Sequence, residues 1–225
     1  LWKGHNLFEL YEKAYTPFEW HKDLFQYSKD IGITLFSTPF DETAVKLLEK
    51  LKTPAYKIAS FELIDLHLIE LVARTNKPIL ISTGMGTIEE IREAINVVKN
   101  NGNDKIILLH CISSYPAPLE ESNLLNIDFL RKTFELEVGL SDHTLGNEAA
   151  VSALTLGARI FEKHFVLSRS LGGLDSKHSM EPNELLKYCQ SLNKFNHALN
   201  CYEREFTKQE KYTSERAMRG VYAAK

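Results

Sequence analysis

Cysteine is scarce in this chain. Cys111, Cys189 and Cys201 are scattered through 225 residues with no CxxC spacing. That excludes a disulfide framework and a cysteine zinc site, and it points to a reducing, cytoplasmic compartment. Long apolar runs are also missing. Stretches such as Ile106–Leu109 reach four or five residues, far short of the ~20 that a membrane span needs. No charge of one sign dominates: 27 basic against 30 acidic side chains leave a net charge of -3. With no basic field to hold a phosphate backbone, nucleic acid is not an expected partner. No GxGxxG follows the first strand-like run, and no Gly/Ser linker, low-complexity tract or signal-peptide pattern occurs. The chain starts at Leu1 and stops in the apolar Val221–Lys225, so it reads as a segment of something longer. What is present, 44% apolar and 25% charged residues, is the composition of a globular protein with room for a substantial core.

Six short β-rich runs recur along the chain: Thr34–Ser37, Ala55–Ile58, Pro78–Ser82, Lys105–Leu109, Glu137–Leu140 and Ala158–Phe161. Their centres lie roughly 20 to 30 residues apart, the length of one βα unit. Helical patterns fill the gaps. Apolar residues recur at helical spacing over Glu42–Leu51 and over Ile88–Val98, and Thr87 with Glu89 and Glu90 makes a good helix start. Glu148–Leu156 and Pro182–Leu199 form two more, the last with proline in its first turn. Nearly continuous apolar strands, each followed by a helix, indicate a parallel sheet covered by helices. The expected fold is a (β/α)8 TIM barrel, in which functional residues gather where strands end. Six strands are two fewer than eight, so the first two are expected before Leu1, and residues 1–225 read as one partial barrel domain.

Polar residues cluster at those strand ends. His143 and His164 fall just past consecutive strands, 21 residues apart, a placement suited to two imidazoles on one divalent ion. Two loop histidines that never meet would give the same spacing. Asp142 could orient one of the rings. Lys57 lies inside an apolar strand, where an unpaired charge is costly, while Thr38, Ser60, Ser82 and Ser141 end four different strands. Together they could hold a phosphate or carboxylate; taken singly, each serine is better explained as a cap or turn residue. A Schiff base is a rival role for Lys57. Glu62, Tyr115 and Asp175 are candidates for hydroxyl recognition, and the last of them lies in the glycine-rich Gly172–Asp175 stretch. The aromatic group Phe8, Tyr11, Tyr15, Phe18 and Trp20 is expected in a core or at an oligomer surface. His110 and Cys111 are not expected to act as a pair, because neighbours on a strand point to opposite faces.

These same residues carry a resemblance. Phe36-Ser37-Thr38-Pro39-Phe40-Asp41, Tyr56-Lys57-Ile58-Ala59-Ser60-Phe61-Glu62, Ile81-Ser82-Thr83-Gly84-Met85, Ser113-Ser114-Tyr115-Pro116-Ala117-Pro118, Gly139-Leu140-Ser141-Asp142-His143-Thr144, Glu162-Lys163-His164-Phe165 and Ser179-Met180-Glu181-Pro182 resemble the sialic acid synthase family, in order and over nearly the whole chain. The resemblance implies a barrel enzyme that condenses phosphoenolpyruvate with an open-chain N-acetylated sugar, giving a nonulosonic acid and phosphate. It implies that His143 and His164 bind a divalent metal, usually Mn2+ or Mg2+. Thr38, Lys57, Ser60, Ser82 and Ser141 would hold phosphoenolpyruvate, and Glu62, Tyr115 and Asp175 would face the sugar.

Within the family, Leu1-Trp2-Lys3-Gly4 and Leu10–Pro17 resemble the pseudaminic acid branch, as does Ser113 where the sialic acid branch commonly has asparagine. The implied sugar is then a 2,4-diacetamido-trideoxy hexose. N-acetylneuraminate and legionaminic acid synthases are the near alternatives; a Schiff-base barrel aldolase and a non-catalytic sugar-binding protein are the distant ones. Leu174 stands where proline is usual. The family also has an acidic residue and a lysine on its first two strands and a small antifreeze-like C-terminal domain that reaches into the partner's active site. The resemblance thus implies a homodimer, and a segment inactive by itself.

Overall fold

A computed structural model describes residues 6–199 and 205–217. Two helices open it, α1 (Leu7–Ala14) and α2 (Phe18–Asp30), followed by α3 (Glu42–Lys50). Strands and helices then alternate: β1 (Tyr56–Ile58), α4 (Leu66–Ala73), β2 (Ile79–Ser82), α5 (Ile88–Asn100), β3 (Ile106–Cys111), α6 (Asn126–Phe134), β4 (Glu137–Asp142), α7 (Glu148–Thr155), β5 (Phe161–Lys163) and α8 (Pro182–Ala198). A last helix, α9, spans Lys208–Ala217. The five strands lie side by side in sequence order, every neighbouring pair parallel. The result is half of a barrel wall, with helices covering one face. None of the described helices is long and apolar enough to cross a membrane.

The strand–helix alternation follows from where apolar side chains can go. Tyr56, Ile58, Ile79, Ile81, Leu108 and Val138 leave the sheet on the helix side and meet Leu68, Ile69, Val72, Ile91, Ala94, Ile95 and Ile127 in one core. Each fully buried aliphatic side chain contributes about 1.5–3 kcal/mol. In α5 the buried residues are Ile91, Ala94, Ile95 and Val98, the face read from the sequence. Its start is a capping box, in which the Thr87 hydroxyl accepts the Glu90 N–H and the Glu90 carboxylate accepts the Thr87 N–H. Pro182 opens α8 from its first turn, where its missing N–H costs nothing.

Two expected strands differ from the structure. Thr34–Ser37 forms no strand. Only Ser37 makes a parallel bridge, to Tyr56, with the Lys57 N–H donating to the Ser37 carbonyl at 3.2 Å. The last strand begins at Phe161 rather than Ala158. Ala158 is taken by the end of α7, where its N–H bonds the Ala153 carbonyl, and Arg159 donates to the Leu154 and Ala158 carbonyls. The aromatic residues Phe8, Tyr11, Tyr15, Phe18 and Trp20 are all exposed, so they are not core.

The helix-facing side of the sheet predicts a contrast that urea unfolding can measure. Leu108→Ala should cost about 2–5 kcal/mol, because it leaves a cavity in a packed core. Thr87→Ala removes a cap on the surface and should cost about 1 kcal/mol. Equal losses would mean that the core does not sit on this face.

Candidate active site

Alternation along the strands decides what faces the other side. Lys57, Ser82, Cys111, Ser141 and Glu162 line an open cleft of about 320 Å³ at the carboxyl end of the sheet. Cys111 pairs in register with Ser141, and Ser141 with Glu162. Two residues further on, the period of a strand, His143 follows Ser141 and His164 follows Glu162. The pairing therefore sets the two imidazoles side by side, with ring centroids 5.2 Å apart. His110, one step out of phase, points away and meets the Ser122 carbonyl at 2.8 Å, so it forms no pair with Cys111.

One half of the cleft is built for an anion. Lys57 is buried; its ammonium donates to the Ile58 carbonyl at 3.2 Å and stands 3.5 Å from a Glu162 oxygen. The other Glu162 oxygen accepts the Ser141 hydroxyl at 2.6 Å. Ser82 is buried with its hydroxyl unpartnered among the described residues. Ser60 accepts the Gly84 N–H at 3.1 Å. Gly84 fits closely here, since a Cβ would lie 2.4 Å from the Ser113 hydroxyl and 2.8 Å from that of Ser60, and both would have to shift. Thr38 also borders the cleft. A lysine charge met only at 3.5 Å and an idle buried hydroxyl both gain from the oxygens of a phosphate or carboxylate. Glu162 was missed from the sequence, although its position two before His164 carries the signal.

The other half is imidazole-rich. His143 Nδ1 lies 2.9 Å from the Ile112 carbonyl, which can only accept, so the neutral ring carries its proton there and leaves Nε2 with the lone pair. Tyr115 packs against all three nearby imidazoles, its centroid 4.3 Å from His143, 5.9 Å from His164 and 5.2 Å from His178. Burial pushes the Tyr115 phenol up to about 12. Burial also holds His143, His164 and His178 below the ordinary imidazole range, opposed for His164 by the nearby Asp175 carboxylate. Neutral imidazoles are the form that ligates metals. Donor atoms of His164, Asp175 and His178 all lie within 4.8 Å of one another, with His164 Nδ1 3.5 Å from one Asp175 oxygen. This donor set suits a divalent ion. His178 carried no sequence signal; the loop after β5 brings it in.

Of the remaining candidates, Ser113 lies 4.0 Å from the Cys111 sulfur. Glu62 does not border the cleft. It is half-buried with one carboxylate oxygen unpartnered among the described residues, and burial raises its pKa despite the nearby Lys57.

Residues 1–204 match the NeuB family. The chain belongs to the NeuB family. It is 48% identical over 183 residues to a pseudaminic acid synthase of Helicobacter pylori, an overlap of 81% of this chain and 54% of that protein. Over 226 residues it is 39% identical to a pseudaminic acid synthase of Campylobacter jejuni, across 100% of this chain and 65% of the relative. The chain thus spans between half and two thirds of the length of these curated relatives. Among solved structures, an N-acetylneuraminic acid synthetase from Leptospira borgpetersenii in complex with citrate superposes with a TM-score of 0.87 at 31% identity, covering 95% of this chain and 75% of that one. The resemblance to the sialic acid synthases read from the motifs therefore holds.

In this NeuB-family chain a sealed ion pair braces the imidazole half. Asp142, opposite in phase to Ser141, does not meet the histidine rings. Its carboxylate accepts the Lys163 ammonium at 2.9 Å, the Thr144 hydroxyl at 2.7 Å and N–H at 2.9 Å, and the Tyr188 hydroxyl at 3.4 Å. Lys163 also donates to the Thr144 carbonyl. The two side chains are 0% and 4% exposed, so losing one partner strands a charge. Lys163→Met should therefore destabilise the fold by about 3–5 kcal/mol in chemical denaturation. A loss under about 1 kcal/mol, the size of an exposed pair, would show that the brace is not buried as described.

Proposed function

We propose that this protein carries out a metal-dependent condensation of phosphoenolpyruvate with the open-chain form of a 2,4-diacetamido-trideoxy hexose, giving pseudaminic acid and phosphate. The observation that carries the reading is the division of one cleft into an anion half and an imidazole half. Family membership and the pseudaminic acid synthases among the relatives support it. The five parallel strands are read as consecutive strands of a (β/α)8 barrel, working as a cytoplasmic homodimer.

Lys57 and the hydroxyls of Thr38, Ser60, Ser82 and Ser141 hold the phosphate and carboxylate of phosphoenolpyruvate. Binding displaces nothing from Ser82, whose hydroxyl has no competing partner among the described residues, and it draws Lys57 from a distant carboxylate to a close anion. Charge-assisted hydrogen bonds of this kind stay in place while negative charge moves onto the leaving phosphate. His143 and His164 would hold the divalent ion, Mn2+ or Mg2+; the lone pair left on His143 Nε2 fits that role. When bound, such an ion supplies Lewis-acid polarisation of a carbonyl oxygen and can position water. Tyr115, Ser113 and Asp175 border the space for the sugar. Glu62, whose carboxyl pKa burial raises, stands behind the cleft lining near Lys57 rather than on the cleft itself. In sum, the enol carbon of phosphoenolpyruvate bonds to the aldehyde carbon, water adds to the neighbouring carbon, and phosphate departs.

The rival Schiff-base role for Lys57 requires a neutral amine. The Lys57 nitrogen instead stands 3.5 Å from a Glu162 carboxylate oxygen and hydrogen-bonds the Ile58 carbonyl, the setting of an anion-binding lysine. Borohydride with a carbonyl substrate should therefore leave Lys57 unlabelled.

Phosphate release by the full-length protein tests the reading. It should require the ion, stop with EDTA, and favour the 2,4-diacetamido sugar over N-acetylmannosamine in direct competition. Equal consumption of the two sugars would remove the pseudaminic assignment and leave the reaction class standing. Lys57→Met should raise the KM for phosphoenolpyruvate roughly tenfold to a hundredfold, the worth of a charged hydrogen bond, with little change for the sugar. Equal shifts in both would contradict the anion role.

A further inference from the structure

We infer that His178 is a third imidazole donor of the ion site, its Nε2 closing with His164 and Asp175 one face of the ion's coordination shell; this rests on the metal-dependent reading above. Two independent observations carry it. First, His178 is 2% exposed in its side chain, yet its Nε2 is buried without a hydrogen-bond partner among the described residues. An imidazole nitrogen left idle in a buried site is costly, and a ligand in the cleft removes that cost. Second, that nitrogen points into a group of donors. His164 Nδ1 is 3.5 Å from Asp175 Oδ2, and His178 Nε2 is 3.8 Å from Asp175 Oδ1. Donors each about 2.0–2.2 Å from one tetrahedral ion stand roughly 3.3–3.6 Å apart. The observed spacings are too long for hydrogen bonds and close to the edges of a coordination shell.

The fold delivers His178 without using its ring. The loop after β5 returns so that Met180 pairs with Phe165: the Met180 N–H meets the His164 carbonyl at 2.8 Å, and the Val166 N–H meets the Met180 carbonyl at 2.9 Å. Arg169 ties the loop through the Ser179 carbonyl at 3.1 Å, and its own N–H bonds the Glu181 carboxylate at 2.8 Å. The His178 ring then packs edge-on to His164, with centroids 4.9 Å apart. Its Nε2, 3.8 Å from Asp175 Oδ1, is left without a hydrogen bond among the described residues. A donor set of imidazoles with one carboxylate suits a first-row transition ion better than magnesium.

Manganese binding to the full-length protein, without substrates, decides the matter. His178→Phe keeps the ring packing and removes the donor; His178→Gln serves as a second variant with a different side-chain volume. Titration with Mn2+ should give a dissociation constant at least ~10-fold weaker in both variants, while metal-free melting temperatures stay near that of the parent. Pulsed electron paramagnetic resonance on the Mn2+ complex should count one more imidazole nitrogen in the parent than in either variant. Unchanged affinity and an unchanged nitrogen count would overturn the role of His178 alone. A parent that binds no Mn2+ would overturn it together with the metal-dependent reading.

Discussion

A parallel sheet with apolar strands leaves polar side chains very little room. On the helix side most strand positions are claimed by the core, and apart from His110 and the Asp142–Lys163 pair at the strand ends, charge and hydroxyl collect on the opposite side. Everything at the site follows from that constraint. Lys57 enters from a strand buried at all three positions, and register then decides its neighbours. Pairing Ser141 with Glu162 makes the carboxylate shared property of Lys57 and Ser141, and it places His143 beside His164.

Two lysine–carboxylate pairs divide the electrostatic work. Lys163 and Asp142 are sealed, at 4% and 0% exposure, and are hydrogen-bonded on nearly every side. They hold the ends of β4 and β5 together. Lys57 and Glu162 are asymmetric, at 8% and 41%. The lysine is buried while its partner faces the cleft at a loose 3.5 Å, so a closer anion can replace it. Buried charge is thus fixed where the fold needs it and exchangeable where substrate arrives. On the imidazole side, burial disfavours the charged rings, and the Ile112 carbonyl leaves the His143 lone pair on Nε2.

Much of this was legible in the sequence, for identifiable reasons. Apolar runs marked five strands because a buried parallel strand has no polar alternative, and Thr87 and Pro182 marked helix starts because an N-terminus needs those residue types. Period-two spacing made Glu162 readable from His164, yet it was passed over. Other features depend on tertiary contacts that no local pattern encodes. Thr34–Ser37 has strand-like composition but only one contact available. His178 reaches the site through a loop whose return is set by the pairing of Phe165 with Met180. Asp142 looked like a partner for the histidines and proved to belong to Lys163, because one residue of phase separates the two faces of β4.

That the anion half and the imidazole half serve one reaction is the central claim, and relaxation of the phosphoenolpyruvate phosphorus nucleus tests it most directly. With the full-length protein and Mn2+, the 31P relaxation rate should rise well beyond that of phosphoenolpyruvate with Mn2+ alone, and Lys57→Met should remove the protein-dependent part. A rate no greater than in the protein-free mixture, under conditions where both ligands are bound, would contradict it.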